Sequence, residues 1–222
     1  NDEIDGFLDK VARMQPPVAH EGGPGRLIFA MDATMSRQHT WAAAREIQSQ
    51  MFAETARIGG LDVQLVYFRG FNECKASRWV SDPNVLGAMM ARIDCRGGHT
   101  QIGRVLRHVR RETARKQVAA MVYAGDCMEE NIDDLARLAG EVGLSGVKVF
   151  MFQEGKDPAA HAAFAEIARL TGGAHCRFSA ASASTLRDLL TAVAVYAAGG
   201  RKALAGYAGA NAGAARLLEQ IK

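Results

Sequence analysis

The sequence predicts an α/β protein, a doubly wound, three-layer (α/β/α) Rossmann-like fold with a central, mostly parallel sheet. Six apolar, strand-like runs alternate with helical patterns along most of the chain. Strands joined through a helix run parallel by right-handed crossovers, which places helices on both faces of the sheet. One link, Arg69-Gly70, is too short for a crossover and therefore predicts one antiparallel strand.

Elements in the first half of the chain are set by apolar spacing and by breakers. Ile4, Phe7 and Leu8 begin a helical pattern, Gly59-Gly60 stops a long helix, and Asp82-Pro83 opens the next one. The predicted order is helix 3–14, strand 26–31, helix 40–57, strand 63–68, strand 71–80 and helix 82–92.

In the second half, two continuous apolar runs are typical of strands that are buried on both faces. They alternate with helical patterns, and the last pattern ends before Gly199. The predicted order is helix 103–116, strand 118–124, helix 131–142, strand 147–152, helix 158–170, strand 174–178 and helix 182–198.

Composition shifts divide the 222 residues into three parts. An amphipathic helix and a Gly/Pro-rich linker form residues 1–25, and one domain is predicted over 26–199. Residues 200–222 are rich in Ala and Gly, which predicts a flexible tail with a short helix at its end.

Charge, hydropathy and cysteine usage exclude several classes of protein. The formal net charge of +3 is too small to indicate nucleic acid as a partner, and no apolar run approaches the roughly 20 residues of a membrane span. The four cysteines are scattered without a Cys-x-x-Cys pair. We interpret them as free thiols in a reducing cytoplasm.

Oxygen-bearing side chains cluster where predicted strands hand over to loops. Asp32, Thr34 and Ser36 follow the first strand, Thr100 precedes a helix, and Asp126 follows the strand at 118–124. In a parallel sheet the carboxyl ends of the strands gather at one edge, so these residues would meet there. Two carboxylates and three hydroxyls suit a hard divalent cation, with Mg²⁺ or Mn²⁺ favoured over Ca²⁺.

This set of residues resembles the metal-ion-dependent adhesion site of the von Willebrand factor A (VWA) family, the integrin I-domain fold. That site reads Asp-x-Ser-x-Ser, then a distant Thr, then a distant Asp. Carried over to this chain, the ligands are Asp32, Thr34, Ser36, Thr100 and Asp126. Thr34 stands where the family usually has Ser; it keeps the hydroxyl and adds a methyl group.

The resemblance implies a protein-interaction module of the bacterial intracellular type, with no catalytic residue. The family's cation completes its coordination with an acidic residue of a partner protein. The rim of such a site would include His99, Glu129 and Arg37. The resemblance also implies six strands with only the third antiparallel, and it leaves the oligomeric state open.

Each site residue also has a simpler interpretation when it is considered alone. Asp32 and Ser36 are common turn-forming and capping residues, and only the joint pattern favours a metal. The thiols of Cys95 and Cys127, with His99, match no common zinc spacing. The carboxylates of Glu129 and Glu130 are expected to cap the helix that begins near residue 131.

Two other functions remain open at this stage. A cation at this edge would also suit a Mg²⁺-dependent phosphoryl-transfer or hydrolytic enzyme, although no phosphate-binding loop or nucleophile elbow is present. The other is a metal-independent scaffold that binds an anionic partner through a basic helical face. That face is formed by Arg104, Arg107, His108, Arg111 and Arg115.

Overall fold

The computed structural model describes residues 24–37, 61–178 and 191–199. The predicted helices 3–14 and 40–57, the start of helix 182–198 and the tail at 200–222 lie outside the described residues. All six predicted strands lie within them.

The six strands form one sheet in the order β3-β2-β1-β4-β5-β6. Every neighbouring pair is parallel except β2 and β3, which form the predicted hairpin. The strands are β1 (Gly25–Asp32), β2 (Leu61–Arg69), β3 (Glu73–Ala76), β4 (Ala120–Gly125), β5 (Lys148–Glu154) and β6 (Ala174–Phe178).

Five α-helices occur within the described residues. The first four were predicted within a few positions, and the fifth is described only from residue 191, near its predicted end. A short 3₁₀ helix, Met35–Arg37, follows β1. The α-helices are α1 (Pro83–Ala91), α2 (Ile102–Arg115), α3 (Ile132–Leu144), α4 (Pro158–Leu170) and α5 (191–199).

The third strand is shorter than the predicted run of residues 71–80. Its regular pairing ends after Ala76, because the N–H of Leu65 donates to the hydroxyl of Ser77 at 3.0 Å instead of to a backbone carbonyl. The N–H of Ser77 still donates to the carbonyl of Leu65, and Val80 then forms an isolated bridge with Val63.

Packing on both faces of the sheet gives three layers. Alternate side chains of β1 point to opposite faces: Leu27 and Phe29 join one buried cluster, and Ile28 joins the other. Residues of α1 and α5 pack in the first cluster, and residues of α2, α3 and α4 pack in the second. The strand β1 is buried along its whole length, as expected of a central parallel strand.

At the amino end of β1, a buried charged cluster fastens three segments together. The Arg26 guanidinium lies 3.6 Å from the centre of the Trp79 ring and forms an ion pair of 3.2 Å with Glu112 on α2. The same Glu112 carboxylate accepts a 2.8 Å hydrogen bond from the indole N–H of Trp79. Each buried charge in this cluster therefore has a partner of opposite charge, and this pairing offsets part of the free energy lost when the charges leave water.

Two glycines of α3 provide a matched test of this packing. An added Cβ would meet nothing within 4 Å at Gly140, but it would lie 2.5 Å from the carbonyl oxygen of Leu170 at Gly143. We expect Gly140→Ala to raise the free energy of unfolding by about 0.5–1 kcal/mol, because it removes backbone entropy from the unfolded chain. Gly143→Ala should lower it by roughly 1–3 kcal/mol through overpacking. Urea unfolding of both variants checks the prediction, and equal shifts in the same direction would contradict it.

Candidate metal centre

Strand order places the candidate centre at the middle of the sheet. The chain winds in opposite directions from β1 and β4, so the crevice between them is a topological switch point, where ligands bind in open α/β sheets. Asp32 is the last residue of β1, and Asp126 directly follows β4. Their strands are in register, with Met31 paired to Ala124. Both carboxylates therefore leave adjacent strand ends.

The loop after β1 gathers the first three predicted ligands. The backbone N–H of Thr34 donates to Oδ1 of Asp32 at 2.8 Å, and the hydroxyl oxygens of Thr34 and Ser36 lie 3.0 Å apart. The loop ends in a 3₁₀ turn, in which the N–H of Arg37 donates to the Thr34 carbonyl. Asp32 and Thr34 are buried, whereas Ser36 is exposed. Met35, between the two hydroxyl residues, is exposed.

Thr100 is tied to the loop that carries Asp126. Its hydroxyl accepts the N–H of Glu129 at 3.0 Å, and its own N–H donates to Oε2 of Glu129 at 3.0 Å. The loop that carries Thr100 also contacts the loop after β1, because the N–H of Arg96 donates to the carbonyl of Ala33. Three segments with the predicted ligands are thus joined by hydrogen bonds between loops.

Glu130 caps α2, and the predicted capping of α3 by the glutamates is wrong. Its two carboxylate oxygens accept the N–H groups of Ile102 and Gly103 at 2.5 and 2.9 Å. The first turn of α2 has no capping side chain of its own, so this positive end is free to take a carboxylate from another loop. The side chain of Asn131 caps α3 instead. The absence of a capping residue before α2 was the one sequence signal for this contact.

The carboxylates of Asp32 and Asp126 lie close together, and each has one oxygen without a hydrogen-bond partner among the described residues. Ligand atoms of Asp32, Asp126 and Cys127 all lie within 4.8 Å of one another. Oδ2 of Asp32 and Oδ1 of Asp126 are buried and have no hydrogen-bond partner among the described residues. Buried polar atoms without partners are rare and costly. A divalent cation would satisfy both oxygens, so the side chains present fit such an ion.

Burial also raises the pKa of Asp32 to about 6. Hydrogen bonds from Thr34 oppose the shift, and the negative charge of Asp126 adds to it. Because the folded-state pKa lies above the ordinary value, this carboxyl group favours folding at low pH, and its contribution is lost as the pH rises through 6. Burial, followed by the two carboxylates, similarly raises the pKa of the Cys127 thiol to about 12.

Two of the three predicted rim residues are exposed at this edge. The His99 side chain is mostly exposed, with Nδ1 3.3 Å from Oε2 of Glu129 and its ring against the edge of Phe71. The third, Arg37, does not lie on the rim: its side chain is 1% exposed and forms a 3.1 Å ion pair with Glu154 at the end of β5. The 3₁₀ turn directs this side chain into the protein, toward a carboxylate that the sequence did not place nearby.

Comparison with known structures shows that the fold is that of VWA domains. A VWA protein from Catenulispora acidiphila superimposes with a TM-score of 0.63 at 18% identity over 76% of this chain. The match spans only 42% of that protein's length. The SpRpn10 VWA domain gives 0.61 at 16% identity, covering 75% of this chain and 94% of that domain.

An aerotolerance-related membrane protein from Bacteroides fragilis is also similar, with a TM-score of 0.58 at 16% identity. The match covers 75% of this chain and 98% of that one. No sequence-family model and no curated protein matches the chain by sequence. In the part of the chain that the structure describes, no helix has the length and apolar character needed to cross a bilayer.

The loop that carries Thr100 depends on a close backbone contact at Gly98. An added Cβ there would lie 2.0 Å from the carbonyl oxygen of Gly70, whereas at Gly97 it would meet nothing within 4 Å. We expect Gly98→Ala to lower the free energy of unfolding by about 1–3 kcal/mol. Gly97→Ala, the control, should change it by less than roughly 0.5 kcal/mol. Urea unfolding measures both, and indistinguishable variants would disprove the contact.

Proposed function

We propose that this chain is a metal-dependent protein-interaction module. Asp32, Thr34, Ser36, Thr100 and Asp126 would hold one divalent cation, Mg²⁺ or Mn²⁺ in preference to Ca²⁺. The proposal rests on two buried carboxylate oxygens, one on Asp32 and one on Asp126, that have no hydrogen-bond partner among the described residues. They accompany the Thr34–Ser36 hydroxyl pair. Oxygen donors of this kind suit hard cations.

The division of charge among these residues suits the capture of an acidic group. Asp32 and Asp126 balance the two positive charges, while the three hydroxyls add donors without further negative charge. The bound cation would therefore remain electrophilic and accept a carboxylate from a partner's Asp or Glu. Met35 and Phe71, 51% and 72% exposed, offer apolar contact area in the neighbouring loops.

The basic face of α2 supports an interaction less well than this edge does. Two of its five residues already contact other parts of the protein, and a third is paired within α2 itself. Arg104 donates to the carbonyl of Asn72, His108 pairs with Gln64, and Arg115 forms an ion pair with Glu112. Less of the stripe is therefore available for an anionic partner than its sequence spacing suggests.

The bacterial cytoplasm is the setting that we propose for this interaction. No disulfide joins any of the four cysteines in the structure. Free thiols are usual in a reducing compartment and less common outside it.

Metal binding should stabilise the native chain and depend on the two carboxylates. At free Mg²⁺ a hundredfold above its dissociation constant, the free energy of unfolding should rise by about 2.7 kcal/mol. For a chain of this size that corresponds to a Tm increase of roughly 5–10 °C over the value in EDTA. Thermal unfolding with Mg²⁺, Mn²⁺ or Ca²⁺ measures the increase and ranks the ions.

Asp32→Asn and Asp126→Asn should each abolish this increase. Without metal, Asp32→Asn should be as stable as the wild type or more so at pH 7, because it removes a buried charge. Asp133→Asn, an exposed carboxylate on α3, is the control and should respond to metal like the wild type. A Mg²⁺ response that persists in both site variants would refute the proposed ligand set.

Partner selection should require both the cation and an acidic residue in the ligand. Random peptides displayed on phage would be bound to the immobilised chain in Mg²⁺ and then eluted with EDTA. We expect the eluted peptides to share an Asp or Glu at a constant position, and we expect Asp126→Ala to recover none of them. Peptides that bind equally in EDTA, or that share no acidic position, would count against an adhesion-type site.

A further inference from the structure

The sulfur atom of Cys127 lies close to the carboxylates of Asp32 and Asp126. Its Sγ lies within the same 4.8 Å group as the oxygens of Asp32 and Asp126. This is the one such group of three acidic, cysteine or histidine side chains found among the described residues. The Cys127 side chain is half-buried.

The other residues of the zinc interpretation do not join this group. Nδ1 of His99 faces Glu129 across 3.3 Å, and Cys95 lies in the loop before Thr100. Cys127 alone among them belongs to the same group as Asp32, whose side chain is fully buried and whose Oδ2 has no hydrogen-bond partner in the described part of the chain. A lone thiol would carry no inference, but a thiol beside an unsatisfied, buried carboxylate oxygen offers a mixed donor set.

We propose that Asp32, Asp126 and Cys127 form a second donor set, which captures a thiophilic divalent cation of the Zn²⁺ class in competition with Mg²⁺. This inference rests on the proposed function, because the two donor sets share both carboxylates. Thiolate and carboxylate ligands suit Zn²⁺ and Co²⁺, whereas Mg²⁺ takes oxygen donors alone. Sulfur binds as the thiolate, so the thiol proton passes to solvent as the cation is bound.

Capture of such a cation would switch the interaction site off. Two carboxylates neutralise a divalent cation, whereas two carboxylates and a thiolate leave the centre with one net negative charge. A partner's carboxylate would then approach a negative site that offers less electrophilic character. The residue next to Asp126 thereby determines which metal permits partner binding and which prevents it.

Cobalt is the probe for the sulfur ligand, because thiolate coordination gives a near-ultraviolet charge-transfer band that oxygen ligands do not. The reduced wild-type chain should develop this band when it is titrated with Co²⁺, and Zn²⁺ should remove it. Cys127→Ser should lose the band and bind Co²⁺ roughly tenfold or more weakly. Cys95→Ser, with a similarly half-buried thiol in another loop, is the matched control and should keep it.

Mg²⁺ measurements on the same variants separate this inference from the proposed function. Cys127→Ser should retain the Mg²⁺-dependent rise in Tm, and micromolar Zn²⁺ should abolish EDTA-sensitive peptide binding in the wild type but not in this variant. No cobalt–thiolate band in the wild type, or an equal band in Cys127→Ser, overturns the inference, even where the Mg²⁺ response is intact. Loss of the Mg²⁺ response from the wild type instead refutes the proposed function.

Discussion

The parallel pairing of β1 with β4 is the constraint on which the rest of this molecule depends. Both strands lie at the centre of a six-stranded sheet, and the chain winds away from them in opposite directions. Two strand ends therefore meet at one point without a connecting loop between them. Asp32 and Asp126 occupy those ends, so the backbone topology itself brings together one buried and one half-buried carboxyl group.

Placing these two carboxyl groups close together lowers the stability of the folded protein, and the rest of the fold compensates for this cost. Burial raises the pKa of Asp32 to about 6, so ionising this carboxyl group costs more free energy in the folded protein than in water. Only one of its oxygens is satisfied, by the N–H of Thr34. Strain of this kind is common where a protein keeps a site ready for a ligand. The rest of the described fold tolerates it because both faces of the sheet are densely buried.

Buried charged groups are paired differently at the amino ends and at the carboxyl ends of the strands. At the amino edge, Arg26 and Glu112 are paired with each other, and Trp79 completes the cluster. At the carboxyl ends of the strands, Glu129 accepts the N–H of Thr100 and Glu130 accepts N–H groups of α2. One oxygen each of Asp32 and Asp126 has no partner there within the described residues. The first arrangement is complete within the chain and is structural. The second leaves carboxylate oxygens without partners among the described residues, and both proposals, the metal-dependent interaction and its regulation by thiophilic metals, start from these oxygens.

Local pattern in the sequence determined the elements, their order and the edge at which the oxygen ligands gather. Apolar runs and helical periodicity are local properties, and the bounds of α4 and β6 follow from them residue by residue. The short link after Arg69 likewise permits only a hairpin. The ligand spacing Asp32, Thr34, Ser36 needed only the knowledge that a strand ends there.

Tertiary structure alone decided which side chains from different loops meet. Arg37 turned inward because Glu154, more than a hundred positions along the chain, ends a strand beside it. Glu130 caps α2 instead of its own neighbouring helix, and Cys127 lies within reach of both aspartates. Such contacts depend on strand order and on competition between partners across the sheet edge. The spacing of residues in the sequence reveals neither the strand order nor this competition, because it records distance along the chain and not distance in space.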